Sequence, residues 1–142
     1  MPTSADRPDI LVDTSAAVAF VVGDHRHHQA THDALAGRRL GLAGHAAFET
    51  FSVLTRMPPP IRRTRAAVGR LLADNFPGSR FLGPDAAEAL LRRMPTLGVT
   101  GGSVYDALVG AAAVEHGVRL ATRDQRALPL YRSLGVDVEV LA

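Results

Sequence analysis

Residues 10–15, Ile10-Leu11-Val12-Asp13-Thr14-Ser15, decide how the rest of the chain is read. Three large apolar residues in succession, two of them β-branched, suit a short strand buried on both faces. Asp13 ends that run with an ionisable group. In an open α/β sheet, ligands bind beyond the carboxyl ends of the strands, so a carboxylate there stands at the functional edge. A plainer duty fits equally well, because Asp13, Thr14 or Ser15 can cap the helix that follows.

Outward from this strand (residues 9–13), elements of two kinds alternate. A helix over 15–22 is broken by Gly23-Asp24, and 25–36 reads as an amphipathic helix with Ala30, Ala34 and Leu35 inward and His28, His32 and Asp33 outward. A short strand over 39–42 precedes a helix over 44–57, with Ala47, Phe51 and Leu54 at core spacing and Glu49 off that stripe; Pro58-Pro59-Pro60 stops it. Helices follow over 64–76 and 84–94, with a short strand near 80–82 between them. Residues 98–102 lead into a helix over 103–116 that Gly117 closes. A strand over 118–122, a helix over 126–134 and a strand over 136–141 complete the chain. This order predicts an α/β/α sandwich around a central, mostly parallel sheet of about five strands. The chain reads as one domain, 1–142, with a polar, frayed start over 1–8.

Composition narrows the function classes. The chain has 142 residues, 46% of them hydrophobic and 21% charged, which suits a folded globular protein. There is no cysteine, so disulfides and thiolate metal sites are excluded. No apolar run reaches the roughly 18 residues of a membrane span, and no secretory signal is evident, so a cytoplasmic location with no membrane partner is the expectation. All 16 basic residues are Arg. The planar guanidinium fork suits phosphate and carboxylate partners, although a net charge of +2 does not by itself identify a nucleic-acid binder.

Three more acids can reach the edge that Asp13 marks. Asp106 lies three residues after Ser103, where it is either part of a capping box or an acid favoured by the helix dipole. Asp124 follows the 118–122 strand, as a turn residue or a functional acid. Glu49 sits among apolar neighbours on its helix, on a solvated face or in the same hollow. Like charges about 4 Å apart repel by roughly 4 kcal/mol at an effective dielectric near 20, so clustered carboxylates need protons or cations. An all-oxygen ligand set selects hard ions such as Mg²⁺, with Mn²⁺ as a substitute, and such ions promote phosphodiester hydrolysis.

The segments ILVDTSAAVAF, AAFETFSVLTR, VYDALVGAAAVEHG and RLATRDQRA resemble, in order and spacing, the four signature blocks of PIN-domain ribonucleases, and more narrowly VapC toxins of type II toxin–antitoxin modules. The resemblance spans residues 10–141. It implies a PIN-like, Rossmann-like fold and assigns catalysis and metal binding to Asp13, Glu49, Asp106 and Asp124, with at least one Mg²⁺. The family commonly carries another acid two residues beyond Asp124, where this chain has Arg126. Thr14, Ser15 and Thr122 become candidates for orienting carboxylates or water. Arg62, Arg63, Arg65, Arg123 and Arg126 become candidates for RNA phosphate contacts. The resemblance further implies an endoribonuclease cutting structured RNA (tRNA or rRNA), leaving a 5′-phosphate and a 3′-hydroxyl. Its implied partners are a cognate VapB-type antitoxin and a second copy in a homodimer.

Other readings are weaker. His25, His27, His28 and His32 lack an HExxH pattern and an evident third ligand, which argues against zinc; His45, one turn before Glu49, can approach the acids. Gly98, Gly101 and Gly102 are not followed by Gly-Lys-Ser/Thr. The alternative function is a non-catalytic, receiver-like Rossmann module, but the absence of Lys removes the cation expected beside a phosphorylated Asp.

Overall fold

A computed structural model of the chain describes residues 6–142. Its centre is β1 (Ile10–Val12), in which all three side chains are fully buried. It pairs in parallel with β2 (Leu40–Leu42) on one side and β3 (Leu120–Thr122) on the other, and β3 pairs in parallel with β4 (Val138–Val140). The sheet order is therefore β2-β1-β3-β4. Strand alternation explains the unbroken apolar run: Leu11 enters the core on one face, while Ile10 and Val12 enter the core on the other.

Among the described residues this sheet has four strands, one fewer than expected. The predicted 80–82 strand contributes one bridge, between Ala43 and Arg80. Its neighbour explains why. The Ser79 hydroxyl accepts from the Leu42 main-chain N–H at 2.9 Å, so a side chain takes a bond that a backbone carbonyl makes in a regular ladder. The chain also runs too close there for a side chain on β2, since a Cβ on Gly41 would lie 2.2 Å from the Gly78 carbonyl oxygen.

Around the sheet run α1 (Thr14–Val21), α2 (His28–Leu35), α3 (Ala46–Thr55), α4 (Arg65–Asn75), α5 (Pro84–Leu97), α6 (Ser103–His116) and α7 (Leu128–Ser133), the last preceded by a 3₁₀ turn at Gln125–Ala127. α6 and its left-handed Gly117 cap match the sequence expectation. α5 runs through Pro95 to Leu97, three residues beyond its predicted end.

Other expectations need correction. α2 begins at His28 rather than residue 25, because residues 25–28 form a turn in which the His28 N–H bonds to the His25 carbonyl at 2.9 Å and the His27 N–H to His25 Nδ1 at 3.0 Å. Its phase also differs. Thr31 and Leu35 are buried, whereas Ala30 and Ala34 face solvent. His28 turns inward to meet the Ala19 carbonyl at 3.0 Å, and His32 stacks on Phe20 with ring centroids 5.5 Å apart. His28 thus departs from its predicted outward place, while His32 and Asp33 face solvent as expected. On α3 the buried stripe is Ala46, Thr50 and Leu54, while Phe51 is 36% exposed and Ala47 is only half-buried. Small residues let α3 approach its neighbours closely and leave the larger rings outside. Residues 1–5 of the predicted frayed start lie outside the described residues, but 6–8 are tied down. Arg80 and Arg39 donate to the Asp6 carbonyl, Arg7 donates to the Gly117 carbonyl, and Pro8 is buried.

Candidate active site

β1 and β3 are neighbours whose onward connections lead to opposite sides of the sheet, which makes their carboxyl ends the topological switch point where α/β folds bind ligands. Asp13 stands there, 4% exposed. Its Oδ1 accepts from Ser15 Oγ at 2.6 Å and from the Ala16 N–H at 3.1 Å. Its Oδ2 accepts from Tyr131 Oη at 3.0 Å and from Thr122 Oγ1. The Ala16 bond makes Asp13 the N-cap of α1, so the cap and site readings of this residue coexist. Burial holds its carboxyl above the usual range, despite the opposing effect of four hydrogen-bond donors.

The other acids face the same hollow. Asp106, in the first turn of α6, is pushed up to about 6 by burial first, and then by the charges of Asp124, Glu49 and Asp13; Arg126 opposes the shift. Glu49 on α3 is raised by burial and by Asp13, while His45, 3.9 Å away, pulls it down. Asp124 accepts from the Arg126 N–H at 3.0 Å and lies 3.6 Å from Arg126 Nε. The four acids brought by β1, α3, α6 and the turn after β3 thus share one electrostatic environment. The capping-box reading of Asp106 does not hold. Ser103 is the first helical residue, and its hydroxyl bonds only to the main chain of Thr100.

Hydroxyl groups organise the floor. Ser15 Oγ, besides donating to Asp13, accepts from the Arg123 N–H at 2.9 Å, and Thr122 Oγ1 accepts from the Asp124 N–H at 3.0 Å. Thr14 Oγ1 is buried with no hydrogen-bond partner among the described residues. Tyr131 is a site residue that the sequence reading missed. The only signal for it was a phenol within the apolar run of the last helix. Its ring is 1% exposed, and burial followed by the Asp13 charge holds its hydroxyl strongly protonated.

The arginines divide into two groups. Arg123 and Arg126 border the hollow, in a cleft of about 410 Å³ that reaches Asp124. Arg62 and Arg63 line a different cleft of about 370 Å³ with Leu54 and Met57, and Arg62 Nε is committed to the Met57 carbonyl at 2.7 Å. Arg65 opens α4. Neither cleft-lining set therefore joins all five predicted RNA contacts.

Among the described residues no three acid or histidine side chains form a ready-made metal cage. The donor chemistry still suits a hard divalent cation. The acids offer only oxygen, and three of them raise the pKa of the fourth, a repulsion that a cation relieves as well as a proton does. Asp13 already accepts four bonds, near the capacity of a carboxylate, so Glu49, Asp106 and Asp124 hold the freer oxygens.

Comparison with known proteins identifies the family of the chain. Residues 10–132 match the model of the PIN domain family. The chain is 43% identical to ribonuclease VapC27 of Mycobacterium tuberculosis over 136 residues, covering 96% of this chain and 99% of that one. It is 45% identical to ribonuclease VapC40 of the same species over 134 residues, covering 93% and 98%. The crystal structure of M. tuberculosis VapC20, a sarcin-ricin loop cleaving toxin, shares the fold with a TM-score of 0.68 at 20% identity, covering 92% of this chain and 98% of that one. With these matches spanning nearly its whole length, the chain belongs to the PIN-domain family, and within it to the VapC-type ribonuclease toxins.

Proposed function

We propose that this nuclease is a Mg²⁺-dependent endoribonuclease, with Mn²⁺ as a substitute, that cuts structured RNA (tRNA or rRNA) in the cytoplasm to stop translation. The observation that carries this reading is that Asp13, Glu49 and Asp124 all stand near enough to Asp106 for their charges to raise its carboxyl. Asp106, Glu49 and Asp124, which hold the freer oxygens, would hold the ion together with Asp13. When bound, the ion supplies charge neutralisation, polarisation of the phosphoryl oxygen and a lowered pKa for water. Ser15, Thr122 and Tyr131 keep Asp13 oriented. Arg123 and Arg126 neutralise substrate phosphates beside the acids.

A VapB-type antitoxin is the proposed inhibitor, covering the acidic hollow. A homodimer is the proposed assembly. Its support is a contiguous strip of exposed rings, with Phe48 65%, Phe81 51% and Tyr105 48% exposed, and with Phe48 and Phe81 6.1 Å apart between centroids. The working unit is the single PIN domain, 1–142.

The test is incubation of purified protein with structured RNA, with Mg²⁺ or with EDTA, beside Asp13→Asn and Asp106→Asn. Cleavage by wild type with Mg²⁺ alone supports the reading. Equal degradation by wild type and both variants refutes it. Expression in bacteria should arrest growth, and co-expression of the adjacent short upstream reading frame should relieve the arrest.

A further inference from the structure

The cleft beside the acidic hollow has a chemistry opposite to that of the hollow. Its walls carry Thr14, Ser15, His25, His27, Arg123 and Arg126, and it meets the acids only at Asp124. We infer that this cleft is a second subsite, built to seat the RNA phosphate next to the one that is cut, with His25 and His27 as hydrogen-bond donors and Arg123 and Arg126 supplying the charge. The inference rests on the nuclease reading for its substrate and adds where the strand is gripped.

Four features support it. Arg123 is fixed in place through one nitrogen: Nη1 donates to Thr31 Oγ1 at 3.2 Å and to the Ala142 main-chain oxygen at 2.6 Å. Arg123 lines the cleft, and its Nε–H and Nη2 donors make no hydrogen bond among the described residues. His25 Nδ1 accepts from the His27 N–H at 3.0 Å, so the neutral ring carries its proton on Nε2 and presents a donor. The loop that carries both rings is pinned at each end, by the His25 N–H to the Val22 carbonyl at 3.0 Å and the His28 N–H to the His25 carbonyl at 2.9 Å. Finally, the buried Thr14 hydroxyl without a partner lies on the same wall.

The same features exclude a metal. His25 Nδ1 is occupied, and no third acid or histidine ligand joins the pair among the described residues. Partial desolvation, with the charges of Arg123 and Arg26, also keeps both imidazoles below their ordinary range. That direction favours the neutral rings, and the neutral His25 ring, with Nδ1 occupied, donates from Nε2. A polyanion drawn across a hollow of carboxylates needs a cationic foothold beside it, and this cleft supplies one.

The test is fluorescence anisotropy with a labelled single-stranded oligoribonucleotide of mixed sequence, in EDTA so that binding is read without cleavage, over a series of salt concentrations. The double variant His25→Ala/His27→Ala should bind about fivefold more weakly, by the same factor at every salt, since each lost neutral bond is worth about 0.5 kcal/mol. Arg126→Ala should instead lower the slope of log K against log salt by about 0.7, as expected for one phosphate contact on a single strand. His27→Gln, which keeps an N–H donor, should recover part of the loss and shows that folding is not at issue. Wild-type affinity in the double variant overturns the inference. So does a loss that fades with salt, which marks the histidines as charges. Failure of the nuclease reading is seen separately, as RNA left intact by wild type with Mg²⁺, while anisotropy still decides the cleft.

Discussion

Asp106→Asn should make the metal-free protein more stable while abolishing cleavage. The Asp106 carboxyl is pushed from 3.8 to about 6 by burial and by three neighbouring acids. A folded-state value raised above the unfolded one means that the fold holds this proton more tightly than the open chain. The favourable contribution is therefore complete below about pH 3.8 and is lost as pH rises through about 6, leaving a penalty at neutral pH. Two units at 1.36 kcal/mol each would approach 3 kcal/mol for a fully buried group, but Asp106 is only half-buried, and solvent screening reduces this to about 1–2 kcal/mol. Asparagine keeps the shape and removes the charge. Thermal melts in EDTA at pH 7.5 should show the variant higher by roughly 5 °C, at a few degrees per kcal/mol. At pH 4.5, where wild type carries the proton in the fold, most of that gain should vanish. A melting temperature lowered at pH 7.5, or raised equally at both pH values, would refute the placement of Asp106 among the other acids.

Three further outcomes follow from the same geometry. Mg²⁺ at about 100-fold over its Kd should stabilise wild type by about 2.7 kcal/mol at pH 7.5, and less as pH falls toward 5 and protons compete for the same oxygens; pH-independent stabilisation in thermal melts would place the ion elsewhere. Tyr131→Phe removes one of the four donors to the buried Asp13 carboxylate and should cost about 1.5–3 kcal/mol in urea unfolding, with an unchanged midpoint counting against that contact. Phe48→Glu should shift a homodimer to monomer in sedimentation velocity, and a dimer that persists would move the interface away from the aromatic strip.

How far the sequence could be read depended on whether a residue's neighbours were local. Ile10–Val12, α6 and its Gly117 cap were legible because burial on both faces and a left-handed glycine leave marks within a few residues. The phase of α2 was not, because Thr31 rather than Ala30 or Ala34 packs inward and His28 finds the Ala19 carbonyl, which α1 supplies. The strand expected at 80–82 failed for a comparable reason: the Ser79 hydroxyl replaces a backbone acceptor, and nothing in a β-propensity pattern shows it. Asp13 and Asp124 stand out in the sequence because ionisable groups at strand ends are conspicuous, whereas Glu49 and Asp106 lie on helices, where an acid has ordinary solvent-facing or capping duties. Tyr131 was hidden because its partner lies 118 residues away in the chain.

The grip on Asp13 has a consequence for how the toxin is made. Two of the four donors to this carboxylate come from Thr122 and Tyr131, 109 and 118 residues further along the chain. A nascent chain interrupted before those residues lacks the clasp that fixes Asp13. Docking of β3 and α7 against the end of β1 is therefore a folding step that must come before Asp13 is held in a single orientation.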